Sequence, residues 1–182
     1  CAARATASAT ARRSWADPTT EPPTMPTPAP PQFLPIEARW CLEAPAPTAA
    51  PAVTLAPPVC IDLEVARTAQ QQMWGLMGRP PLAPLRGMWF TWPQPQVLKF
   101  WMHRTPAPLD MVFLRSGRVI AIEADAKPCP RLPCRSYGPD EPADGVVELA
   151  AGEAARLGLT VGSAARIEDL KPAPASMTQP AR

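Results

Sequence analysis

Histidine is almost missing from this chain: His103 is its one histidine in 182 residues. No pair of imidazoles exists to build a common zinc site, and one imidazole alone is available as a catalytic base. Paired Cys-x-x-Cys spacings are absent as well. A set drawn from Cys129, Cys134, His103 and Asp110 lacks the tight, repeated spacing of structural zinc sites, so no metal is assigned. Neither Ser136 nor Ser163 sits in a Gly-x-Ser-x-Gly elbow, and the nine glycines form no phosphate-cradling loop. No catalytic triad and no cofactor are expected. No apolar run reaches the roughly 20 residues that a membrane-crossing helix needs. Charge of one sign is never concentrated, with 18 basic residues against 16 acidic and a net charge of +2. Nucleic acid is therefore not an expected partner.

Proline is what the chain has in excess, at 28 residues, several-fold above the usual 5% or so. Most of the excess lies outside one central region. Residues 1–58 are dominated by alanine, threonine, proline and serine and show no apolar periodicity. Such a stretch removes backbone donors and buries too little apolar area to offset its ordering entropy. It reads as an extended, disordered tether. Trp15, Phe33, Leu34 and Trp40 are exceptions in it. "FLPIEARWCL" is either a short piece docked on the folded region or a tail with stray aromatics. Residues 171–182, "KPAPASMTQPAR", read as a second disordered tail. The sequence starts Cys1-Ala2-Ala3, the pattern of a mature bacterial lipoprotein. The expectation is an acylated Cys1 that holds the protein to a lipid membrane, with the domain in the periplasm or another extracytoplasmic space.

Residues 59–170 are patterned as one domain. "VCIDLEV" alternates as a strand with Val59, Ile61, Leu63 and Val65 on one face. Thr68 is placed to cap a helix in "TAQQQMWGLMGR", whose inward stripe would be Met73, Leu76 and Met77. Gly75 in that run predicts close packing or an early helix end. "GMWFTW", "QVLKFWM", "DMVFL", "RVIAIEA" and "GVVELA" read as strands, with "SGR" as a tight hairpin turn. "AGEAARLG" is a short helix stopped by Gly158, and "SAARIEDL" is a closing strand. Short connections between strands predict an α+β domain: a mostly antiparallel β-sheet curled toward a partial barrel, with two short helices.

Several motifs in this order resemble a known family. They are "GLMGR" (75–79), "GMWF" (87–90), "FWMHRTPAPLDMVFL" (100–114), "AKPC" (126–129), "CRSYGP" (134–139) and "VVELAAGEAARLGLTVG" (146–162). Together they look like DUF192, a family of small bacterial and archaeal domains of unknown function. The resemblance implies a compact, β-rich α+β domain, often exported or lipid-anchored, with no established activity. The family's central motif runs Phe-Trp-Met-Lys-Asn-Thr and then Pro-Leu-Asp. Phe100, Trp101, Met102, Thr105, Pro108, Leu109 and Asp110 match it, while His103 and Arg104 depart from it. Arg104 cannot accept a hydrogen bond as the asparagine carbonyl would.

Cys129 and Cys134 flank "PRLP" and are close enough to close a small loop as a disulfide. In an exported chain that bridge is expected to be structural, since redox pairs usually sit as Cys-x-x-Cys at a helix N-terminus. The pairing of Cys41 and Cys60 stays open. Asp110 admits two readings: a functional carboxylate at a pocket mouth, or an acid that holds the "TPAPLD" turn through backbone amides. The leading functional expectation is a module that binds a small ligand or a cell-envelope partner through Arg79, Trp101, Arg104, Thr105, Asp110 and Tyr137. The alternatives are a hydrolase or transferase with Asp110 as acid/base, and a protein-interaction domain.

Overall fold

The computed structural model describes residues 2–4, 30–42 and 58–170. The remainder of the expected tether and the expected tail lie outside the described residues. In chain order the elements are β1 (Ala2–Arg4), β2 (Ile36–Cys41), β3 (Cys60–Ala66), α1 (Ala69–Trp74), β4 (Arg86–Gln96), β5 (Lys99–Trp101), β6 (Leu109–Arg115), β7 (Arg118–Ala126), β8 (Ser136–Tyr137), β9 (Ala143–Ala150), α2 (Glu153–Arg156) and β10 (Ile167–Asp169). Seven of the strands form one sheet in the order β10-β2-β3-β4-β9-β6-β7, and three short ones form a second, β1-β5-β8.

The α+β class is as expected, with two short helices. The large sheet is open, with β10 and β7 as its edges. Pairing is antiparallel throughout except between β3 and β4, which run parallel. A parallel pair needs a crossover, and α1 with the loop after it supplies one. The "FLPIEARWCL" segment turns out to be docked. Its strand β2 pairs with β3 from Ile36 to Cys41, and Trp40 is fully buried. The folded unit thus begins before Val59, because β3 would otherwise lack a neighbour on that side. Gln32 strengthens the docking by donating its side-chain amide to Gln71 O at 2.8 Å and Gly75 O at 3.0 Å.

Local chemistry explains the element ends. Thr68 and Gln71 form a reciprocal capping box at the start of α1. The helix stops at Trp74 because Gly75 adopts φ 44, a conformation glycine reaches at little cost. That early stop changes the inward stripe: Met73 is 57% exposed, whereas Gln72 is buried. Val59 is likewise exposed, outside the Ile61–Leu63–Val65 face. Ser116 and Gly117 both have positive φ in the β6–β7 turn, the mirror-image hairpin geometry that matches strand twist.

Alternation in the central strands sends side chains to two cores. Ile61, Leu63, Val112, Val147 and Leu149 meet α2 and the chain after it, including Ala154, Leu159 and Ala165. Met88, Phe90, Met111, Phe113 and Val146 meet the small sheet through Phe100, Met102 and Tyr137. Phe100 stands edge-on to Phe90 and Phe113, at centroid distances of 5.1 and 5.9 Å, the geometry that aromatic quadrupoles favour. Two disulfides lock the periphery. Cys129–Cys134 is the expected bridge, and Cys41–Cys60 joins β2 to β3.

Candidate functional site

The side chains expected to form one pocket take up separate stations. Asp110 is 1% exposed. Its Oδ1 accepts the Asp125 N–H and its Oδ2 the Ala154 N–H, both at 2.9 Å. It ties β6 to β7 and to the first turn of α2, rather than holding its own turn. Arg79 is buried beside Glu64, Nη1 to Oε2 2.6 Å, with its guanidinium 4.3 Å over the Phe33 ring. Thr105 is 2% exposed. Arg104 is exposed and works through its backbone: its N–H donates to Cys129 O and its carbonyl accepts from Gly78 N. Its φ of 56 is the left-handed region in which asparagine is enriched, a reason for the asparagine of the motif it departs from. Tyr137 is 9% exposed, and its hydroxyl accepts the Lys127 N–H at 3.3 Å.

Trp101 is different. It is half-buried in β5 and walls a cleft of about 260 Å³ between β5, β8 and the disulfide loop. Lys99, Leu132, Pro133, Cys134 and Ser136 line the same cleft. Lys99 is steadied there by donating to Gly138 O at 2.7 Å and Asp140 Oδ1 at 2.9 Å. That hydrogen bond holds the Asp140 carboxyl below its ordinary range. The Trp101 and His103 rings lie 5.5 Å apart. Of the six expected site residues, only Trp101 faces this cleft. Lys99 and Ser136 were not anticipated, since nothing in the sequence joins a residue of one strand to a residue of another 37 positions on.

A second group escaped sequence reading altogether. Strand register aligns Glu64, Met88, Glu148, Met111 and Glu123 in one row across β3, β4, β9, β6 and β7. The outer acids are satisfied: Glu64 by Arg79 and by the Leu34 N–H, and Glu123 by the Gly138 N–H. The central one is not. Glu148 is 0% exposed, and neither carboxylate oxygen has a partner among the described residues. Burial pushes its carboxyl up to about 7. The signal was available in "VVEL", where an acid holds an inward position between apolar Val146 and Ala150.

Among the described residues no group of three or more His, Cys, Asp or Glu could hold a metal ion. No helix of the described residues is long and apolar enough to cross a membrane. Two disulfides point to an oxidising, extracytoplasmic location.

An open seven-stranded mixed sheet, covered on one face by a small second sheet and stapled by two disulfides, defines a β-rich α+β domain. The chain belongs to the DUF192 family, described as "Uncharacterized ACR", whose model matches residues 52–167. Two solved structures are similar. One, from Novosphingobium aromaticivorans, is a protein of unknown function, 30% identical, with a TM-score of 0.60 over 80% of this chain and 94% of that one. The other, from Sinorhizobium meliloti, is provisionally described as a transcription regulator. It is 28% identical, with a TM-score of 0.57 over 73% of this chain and 92% of that one. No curated protein matches the chain.

Proposed function

We propose that this domain is an extracytoplasmic binding module that takes a small ligand in the cleft beside Trp101. The observation that carries the reading is the cleft itself, walled by Trp101, lined by the polar residues Lys99 and Ser136, and framed by a disulfide loop. An apolar wall with a few converging polar groups is the usual form of a small-ligand site. At about 260 Å³ it suits a compact molecule with a flat apolar part and a hydrogen-bond acceptor. An acylated Cys1 belongs to the same reading and would hold the module at a membrane; mass spectrometry of the native chain tests it. Catalysis by Asp110 is disfavoured, because both its oxygens are engaged by backbone amides in a buried setting. Transcriptional regulation, suggested by the Sinorhizobium relative, finds little support. The helices of the described residues span six and four residues, too short for a recognition helix laid along a DNA groove.

The test is native purification from the cell envelope, followed by mass spectrometry of small molecules released on denaturation. One species should co-purify and be lost from Trp101→Ala with the melting temperature kept. Retention of that species by Trp101→Ala, or recovery of a protein in its place, overturns the cleft assignment.

A further inference from the structure

A fully buried carboxylate with two unsatisfied oxygens demands an explanation, since buried polar groups are almost always paired. Glu148 is such a group. Its immediate cross-strand neighbours are Met88 on β4 and Met111 on β6. Both are 0% exposed, and all three residues project from the same face of the sheet. Directly opposed residues in antiparallel strands hold their Cβ atoms about 5 Å apart. The unbranched thioethers are flexible enough to bring both sulfurs to the carboxylate between them. Glu64 and Glu123 in the row each have a protein partner, whereas Glu148 has no hydrogen-bond partner among the described residues and is flanked along the row by the two methionines.

We propose that Met88, Glu148 and Met111 form a binding site for one soft monovalent cation, Cu(I). Thioether sulfur is a soft ligand of the kind that suits Cu(I). The carboxylate cancels the single positive charge, so the ion enters an apolar core as a neutral set, which avoids the cost of an isolated buried charge. A divalent hard cation would find neither the charge nor the oxygens it needs. The site lies apart from the cleft at Trp101 and does not depend on its occupant.

The test uses the full-length chain with both disulfides intact and Cys1→Ser, so that no free thiol competes. Cu(I), kept reduced by ascorbate under nitrogen, is titrated against bicinchoninate. It is added to the folded chain and, in a parallel sample, during refolding. One equivalent per chain should resist the chelator and raise the melting temperature. Met88→Leu and Met111→Leu, nearly volume-conserving changes, should each weaken binding tenfold or more while the metal-free protein still melts cooperatively. Met73→Leu, on exposed α1, should bind as the parent does. X-ray absorption should report two sulfur neighbours and one oxygen. No bound equivalent under either loading regime overturns the site, as does unchanged affinity in both row variants.

Discussion

Asp110 and Ala154 are joined across the sheet–helix boundary: the carboxylate of one accepts the backbone N–H of the other at 2.9 Å. The same carboxylate holds Asp125 N on the neighbouring strand. A four-residue helix has no stability of its own, so α2 depends on this anchor and on its apolar contacts. Asp110→Ala orphans two backbone donors and should cost about 2–4 kcal/mol, read by urea denaturation. Retained stability together with loss of a bound ligand would instead place Asp110 in a site.

Glu148 predicts an unusual pH profile for the metal-free protein. Burial raises its carboxyl to about 7 from the usual 4.5, so the unfolded chain releases this proton first as pH rises. Stability from this group is whole below about 4.5 and is lost on the way to about 7, on the order of 3 kcal/mol in total. Glu148→Gln should flatten that part of the profile in denaturation curves collected from pH 4 to 8. A parent and variant that fall in parallel would show that Glu148 does not titrate in this window.

The Arg79–Glu64 pair is buried on both sides. Removing one partner leaves an uncompensated charge, so Arg79→Met alone should destabilise by roughly 3–5 kcal/mol. Adding Glu64→Gln should recover part of that loss, giving a coupling energy of 1 kcal/mol or more in a double-mutant cycle. Additive losses would mean the two side chains act independently.

The two disulfides should contribute unequally. Cys41–Cys60 spans 19 positions and Cys129–Cys134 spans five. Loop-closure entropy then assigns about 3 kcal/mol to the first and about 2 to the second. Paired Cys→Ser variants measured by thermal unfolding should rank in that order.

Much of the fold could be read from residue order because its signals are local. The β6–β7 hairpin announces itself in "SGR", and the strand β9 in "GVVELA". Thr68 and Gly158 mark helix ends by capping chemistry. What escaped were pairings between distant segments. Strand β2 sits in a proline-rich stretch, and its burial is conferred by β3, about twenty residues on. The parallel β3–β4 pair leaves no turn between its strands to betray it. The candidate site was the hardest part. Arg79 and Asp110 are polar residues in a loop or at a strand start, which suggests function, yet Arg79 pairs with buried Glu64 and Asp110 accepts two backbone amides. Glu148 looked like one polar residue in a strand, and only the register across five strands reveals its isolation.

The last strand of the large sheet, β10, lies beside the first, β2; Leu170 N donates to Glu37 O at 2.7 Å. Sequence neighbours are therefore not the final contacts made. No growing N-terminal portion of the chain holds a finished sheet, because the strand that covers β2 is among the last to be synthesised. High contact order of this kind slows folding. It also leaves the β2 edge of the sheet unpaired until Ile167–Asp169 has joined it.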